Sequence, residues 1–194
     1  MYDYLVGTIT VKTATSVVVD CNGVGYHLNI SLHTFSKINE HEKQKIFVHL
    51  SVKEDAHTLY GFADEAERSM FRQLISVNGI GASTARMMLS SMEPQELEQA
   101  IVTSDVTRLQ SIKGIGGKSA QRIIIELKDK IRKSDILIQF AGASANAHRQ
   151  EALSALITLG FAKNAAEKSV DSIIKKNGDK TSVEDLIKSA LNAM

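Results

Sequence analysis

The chain has 194 residues, 43% hydrophobic and 23% charged, with a formal net charge of +1. No apolar run is long enough to span a bilayer and the N-terminus lacks a signal peptide, so a cytoplasmic protein rather than a helical membrane protein is expected. The single Cys21 excludes an internal disulfide and fits a reducing compartment, and the length allows one large or two to three small domains.

Residues 1–63 read as short strands. Tyr4 to Lys12 and Ser16 to Asp20 are rich in Val, Ile and Thr, Asn22-Gly23 signals a hairpin, and Gly25 to Ile30, Lys45 to Val52 and Thr58 to Phe62 complete about five strands. That count and length suit a five-stranded barrel of the OB type. Its five Lys/Arg against eight Asp/Glu over residues 1–65 leave −3, so its own surface is not the expected DNA site. Cys21 beside the turn reads as structural filler, because no histidine-based partner arrangement accompanies it. Glu54-Asp55 falls between two predicted strands. As turn residues alone the pair reads as a solvated turn, although in a DNA-binding protein an acidic tip would repel phosphate.

Residues 64–133 read as helices. Asp64 caps a predicted helix from Glu65 through Ile75, Pro94 suits the first turn of another, and Asp105 caps a short one. Ala120 to Arg132 forms a last helix with Ile123, Ile124 and Leu127 inward. Residues 66–133 carry eleven Lys/Arg against seven Asp/Glu, an excess of +4. Residues 134–147, with Ala141 to Ala147 all small or polar, read as a flexible linker, and 148–194 as about three helices with Ser182 capping the last.

The basic region contains one tripeptide twice, Gly79-Ile80-Gly81 and Gly114-Ile115-Gly116, at a spacing of 35 residues. Leu74 to Asn78 aligns with Leu109 to Lys113, and Thr84-Ala85 with Ser119-Ala120. Each copy ends one predicted helix and opens another. Glycine permits positive φ and close approach of a second backbone, and the first amides of a helix lack intrahelical partners. Such a turn is an anion site that reads phosphate rather than base edges. One copy alone is as well explained by an ordinary interhelical turn. Two copies in matching contexts point to a chain that holds a phosphate backbone at two places.

Other chemistry is rejected. Gly116-Gly117-Lys118-Ser119 lacks the P-loop's first glycine, since position 112 is Ile112, and it follows a helix rather than a strand. Six scattered histidines and one cysteine offer no metal site, and no catalytic constellation or cofactor is expected. The competing enzymatic reading is a helix-hairpin-helix DNA glycosylase or lyase, for which Asp135, past the second turn, is the acidic candidate, although it leads into a linker rather than a domain.

The Gly7-Thr8-Ile9 strand, Gly23-Val24-Gly25-Tyr26, Glu54-Asp55-Ala56, Leu59-Tyr60-Gly61-Phe62, both Gly-Ile-Gly turns and Leu159-Gly160-Phe161 occur in one order. That order resembles the RuvA family of bacterial Holliday-junction-binding proteins almost end to end. The resemblance implies an α+β multidomain chain: an OB barrel (1–63), a tandem helix-hairpin-helix domain (64–133), the linker (134–147) and a UBA-like three-helix bundle (148–194). It also implies a homotetramer, sometimes doubled to an octamer, that binds four-way junction DNA in recombination, DNA repair and the SOS response. Gly79, Gly81, Ser83, Gly114, Gly116, Lys118 and Arg122 would hold backbone phosphates, and Arg86 would add charge. Glu54 and Asp55 would form the family's acidic pin at the junction centre, which reverses their reading as a mere turn. Leu156, Leu159, Phe161 and Leu191 would dock a RuvB-type AAA+ ATPase, with a RuvC-type resolvase acting on the same junction. Two departures stand out. Ser83-Thr84 occupies the place of a common family lysine, and Lys118 alone follows the second turn where two lysines are frequent.

Overall fold

The computed structural model describes residues 2–140, 144–177 and 181–193. They form two compact units, 1–131 and 132–194.

The first unit opens with β1 (Tyr4–Lys12), β2 (Ser16–Cys21), β3 (Val24–Asn29), β4 (Lys43–Val52) and β5 (His57–Phe62). These close into a barrel in the order β1-β2-β3-β5-β4, with β4 paired back onto β1. β3 and β5 run parallel, and the other pairs antiparallel. Between β2 and β3, Asn22 and Gly23 both take positive φ, 55° and 89°, the two-residue turn whose twist matches that of the strands. Ile9, Val17, Val19, Leu28, Ile46 and Val48 fill the barrel, because period-two alternation sends every second side chain inward.

A short helix, α1 (Leu32–Lys37), connects β3 to β4. The sequence reading placed no element there. Ser31 caps α1 by accepting a hydrogen bond from the Thr34 amide at 3.0 Å, but six residues are too few for an apolar period to register.

Five helices follow: α2 (Glu65–Ile75), α3 (Ala82–Ser91), α4 (Pro94–Val102), α5 (Val106–Gln110) and α6 (Gly117–Phe140). Asp64 caps α2 through the Glu67 amide at 2.9 Å, and Asp105 caps α5 through the Arg108 amide at 2.9 Å. Each such cap is worth about 1 kcal/mol. The helical core grows directly out of the barrel. Phe71 of α2 packs on Tyr60 and Phe62 of β5, with ring centroids 5.1 and 4.9 Å apart. Leu74, Met88, Leu97, Ile101, Leu109, Ile123 and Leu127 extend the same cluster.

Two consecutive residues of α2 fasten it to the barrel side. Glu67 is buried and accepts hydrogen bonds from the Ser31 and Thr34 hydroxyls at the start of α1. Burial pushes its carboxyl above the ordinary range, and those two hydrogen bonds offset only part of the rise. Arg68, also buried, donates to the carbonyl and carboxylate of Asp3 and pairs with Glu65, and its guanidinium lies 5.1 Å from the Phe47 ring centroid.

The second unit contains α7 (Ser144–Thr158), α8 (Lys163–Asn177) and α9 (Val183–Ala193), packed around Ala152, Leu156, Ala166, Val170, Leu186 and Ala190. Gly160 ends the first of these with φ 99°, and the Phe161 amide returns to the Leu156 carbonyl at 3.1 Å. Ser182 caps α9 through the Asp185 amide at 3.2 Å. Asn177-Gly178 is a helix-stop signal in the sequence, and Gly178 lies outside the described residues.

The expected flexible linker differs from what is found. Residues 134–140 continue α6 and 144–147 begin α7, while 141–143 lie outside the described residues. Small residues suggested a loop, but alanine has the highest helix propensity of all, and Gly142 is the segment's one strong breaker. Asp135 therefore sits within a helix.

Candidate nucleic-acid interface

The two glycine turns are built alike in conformation and in their main hydrogen bonds. Gly79 and Gly114 take φ 87° and 89°, a left-handed conformation that strains any L side chain. Ile80 donates its amide to the Val77 carbonyl at 3.0 Å, and Ile115 to that of Ile112 at 3.0 Å. Ala85 reaches the Gly81 carbonyl at 2.9 Å, and Ala120 that of Gly116 at 2.9 Å. Even the preceding serines match, with the Ser76 hydroxyl donating to Gln73 and the Ser111 hydroxyl to Arg108, both at 2.7 Å.

Burial follows the same 35-residue offset. Val77 and Ile112, Ile80 and Ile115, Ala85 and Ala120, and Met88 and Ile123 all point into the core. The isoleucine at the centre of each turn is therefore an anchor. It holds the loop down while the flanking glycines, Gly79, Gly81, Gly114 and Gly116, stay exposed.

Each turn leads into a helix start suited to an anion. Gly81 is the N-cap of α3 and supplies no side-chain cap, so the first amides of α3 have no hydroxyl or carboxylate competing for them. α3 and α6 carry no acidic residue in their first turns, which leaves the positive end of each helix dipole uncompensated. Ser83 and Lys118 occupy equivalent, exposed positions on these first turns. What the arrangement can do is receive two phosphate groups through main-chain donors, with Lys118 adding one point charge.

Arg122 does more than supply charge. From α6 its Nη1 donates to the Asn78 carbonyl at 3.1 Å, immediately before the first turn. The second motif thus grips the first. No sequence signal announced this pairing, because the partners lie 44 residues apart and one is a main-chain atom. Arg86, expected to add charge, is engaged elsewhere. Its Nη1 donates to the Thr15 carbonyl at 3.0 Å and the Asn29 side chain at 3.2 Å, so it ties α3 to the barrel.

Glu54 and Asp55 are exposed at the tip of the β4–β5 hairpin. The tip is closed by the Lys53 amide donating to the Ala56 carbonyl at 2.9 Å, directly beyond the Val52–His57 pair. Two carboxylates thus project from the end of a hydrogen-bonded hairpin.

In the second unit, Leu159 and Leu191 are exposed, 61% and 42%, and Phe161 is half-buried against the bundle. Leu156 is a correction. It is wholly buried and belongs to the bundle core, because its place on α7 faces α8 and α9. Ile157, its neighbour, is the exposed residue at that position and was not anticipated.

Comparison with known proteins agrees with this layout. Residues 1–61 match the RuvA N terminal domain, 71–129 the SAM-like Helix-hairpin-helix tandem, and 147–194 the RuvA, C-terminal domain. A protein of Christiangramia forsetii named Holliday junction branch migration complex subunit RuvA is 50% identical over 194 residues, covering 100% of both chains.

The chain belongs to the RuvA family.

RuvA proteins of Cytophaga hutchinsonii and Bacteroides fragilis (strain ATCC 25285) bear the same name. The first is 52% identical, with 98% of each chain covered, and the second is 43% identical, with 100% of each covered. The closed five-stranded barrel, the helix-hairpin-helix tandem and the helical C-terminal domain are the RuvA layout. Among the described residues no helix is long and apolar enough to cross a membrane, and no cluster of His, Cys, Asp and Glu is suited to a metal ion.

Proposed function

We propose that the chain is a non-catalytic, structure-selective DNA-binding subunit that recognises four-way junctions. The observation that carries this reading is the pair of equivalent glycine turns, borne on the same compact unit as an acidic hairpin tip. The turns bind phosphate and are blind to sequence. The tip repels phosphate and disfavours a continuous duplex across itself. Neither feature alone selects a junction. Attraction along the arms and repulsion at the centre would do so once several copies surround the crossover.

A homotetramer, doubled to an octamer on some junctions, supplies that symmetry in this reading. Branch migration then needs an engine, which this reading places in a partner, since Ile112 replaces the first P-loop glycine before Gly117-Lys118-Ser119. A RuvB-type hexameric ATPase would dock on the C-terminal bundle through Leu159, Phe161 and Leu191, with Ile157 beside them and Leu156 supporting them from the core. A RuvC-type resolvase would act on the same junction, and the assembly would work in the cytoplasm.

The test is binding to an immobile four-way junction against a linear duplex of the same arm sequence. The proposal expects tighter binding to the junction. Deleting residues 148–194 should leave junction binding intact and abolish stimulation of the ATPase partner; loss of junction binding on deletion would contradict this division of labour.

A further inference from the structure

The acidic tip and the phosphate turns can cooperate only if the distance between them is fixed. Their connection is short. β5, the second strand of the acidic hairpin, ends at Phe62; α2 starts at Glu65; and α2 ends at Ile75, just before the first glycine turn. Helix α2 is therefore the rod that joins the two. A rod attached at one end can swing, so its side attachments decide where the turns lie.

On one side Glu67 supplies the attachment. Its carboxylate is completely buried, and its two oxygens accept separately from Ser31 and Thr34. Both hydroxyls are already committed as acceptors. Ser31 Oγ receives the Thr34 amide at 3.0 Å, and Thr34 Oγ1 receives the Ala63 amide at 3.0 Å. Each hydroxyl donates its own hydrogen to Glu67. The network ties the start of α1, the β5–α2 junction and the first turn of α2 into one knot, with every polar atom of the carboxylate and hydroxyls paired. Simple stability does not require a buried acid here, since an apolar side chain of similar volume would fill the space without desolvation. What a carboxylate adds is direction.

We propose that Glu67 is a positioning residue that sets the placement of the phosphate turns relative to the acidic tip, and so determines preference for junctions over duplex rather than affinity for backbone. The inference rests on the junction-binding reading above. Glu67 touches no DNA; it acts through α2.

The experiment uses the full-length chain with Glu67→Gln and, separately, Thr34→Val, each checked for folding by circular dichroism. Glutamine keeps the size but must offer an amide to a hydroxyl that needs an acceptor. Valine keeps the shape and deletes one arm of the knot. Two quantities are measured. The first is the distance distribution between spin labels at Lys53→Cys and Lys113→Cys, in a Cys21→Ser background. The second is the dissociation constant for an immobile four-way junction and for a linear duplex. The expected result is a broadened or shifted distance, duplex affinity within about twofold of wild type, and junction affinity weakened by about tenfold, or 1.4 kcal/mol. An unchanged distance in both folded variants would overturn the positioning role. An equal loss on both DNAs would overturn the specificity role. If the unsubstituted chain shows no preference for junctions, the functional reading fails, and the distance measurement still decides whether Glu67 fixes α2. Should Glu67→Gln not fold, Thr34→Val alone decides by the same criteria.

Discussion

Arg122 Nη1 donates to the Asn78 carbonyl at 3.1 Å, so the helix that leaves the second glycine turn is hydrogen-bonded to the lip of the first. The same guanidinium nitrogen lies 3.6 Å from where a Cβ on Gly79 would sit. One side chain thus braces the first turn while the residue stays exposed beside Lys118. Arg122→Lys keeps the charge but loses the planar fork. The expected outcome is about three- to tenfold weaker DNA binding with an unchanged salt slope, measured by titration at several salt concentrations. An affinity equal to wild type would show that the brace is dispensable.

The turns should matter more than the lysine. Gly114 sits at φ 89°, where a β-branched residue costs about 1–3 kcal/mol of backbone strain. Gly114→Val is expected to reduce binding more than Lys118→Ala, because the turn orients several main-chain donors and the lysine is one charge. Lys118→Ala should lower the salt slope by about 1, as expected for one lost phosphate contact. The reverse ranking in direct binding assays would place recognition in side chains instead.

Glu54→Gln with Asp55→Asn removes two exposed negative charges without altering the hairpin closure at Lys53 and Ala56. Binding to duplex and junction should both tighten, duplex the more, and the molecular mass in solution should not change. Weaker junction binding by this variant would contradict a repulsive role.

The C-terminal bundle carries a readable pH dependence. Asp171 accepts from Arg149 Nε at 2.6 Å and Nη2 at 3.0 Å, joining α8 to α7. The hydrogen bond from Arg149, opposed by burial, holds the Asp171 carboxyl below its ordinary value. A depressed carboxylate contributes stability above its unfolded pKa of about 3.9 and loses it as pH falls through the folded value. With the pair partly exposed, that contribution is at most about 1 kcal/mol. Thermal unfolding of wild type and Asp171→Asn should therefore differ at pH 6 and converge near pH 2. A gap that persists to low pH would refute the assignment.

Much of this could be read from residue order. The Gly-Ile-Gly repeat was legible because its chemistry is local. Glycine needs no distant partner to form a turn, and Asp64 and Asp105 cap helices a few residues away. The barrel was legible because Tyr4 to Lys12 and Ser16 to Asp20 are rich in Val, Ile and Thr and Asn22-Gly23 marks the turn after them. What escaped depends on partners far apart in sequence. Glu67 meets Ser31 and Thr34 more than thirty positions away, and Arg122 meets a carbonyl whose identity carries no side-chain signal. Arg86 looked like another DNA contact until its barrel partners were visible. Leu156 and Ile157 are both apolar neighbours on one helix, and only packing separates core from surface. The alanine-rich segment misled because alanine is small enough for a linker and yet the strongest helix former.

The central claim is that two phosphate turns and an acidic tip together recognise a DNA shape. Competition binding with an immobile four-way junction and a linear duplex of identical arm sequence, at physiological salt, tests it most directly. Junction binding at least tenfold tighter than duplex binding, with that ratio reduced in the Glu54→Gln, Asp55→Asn variant, is the predicted result. Equal affinity of the wild-type chain for the two DNAs would contradict it.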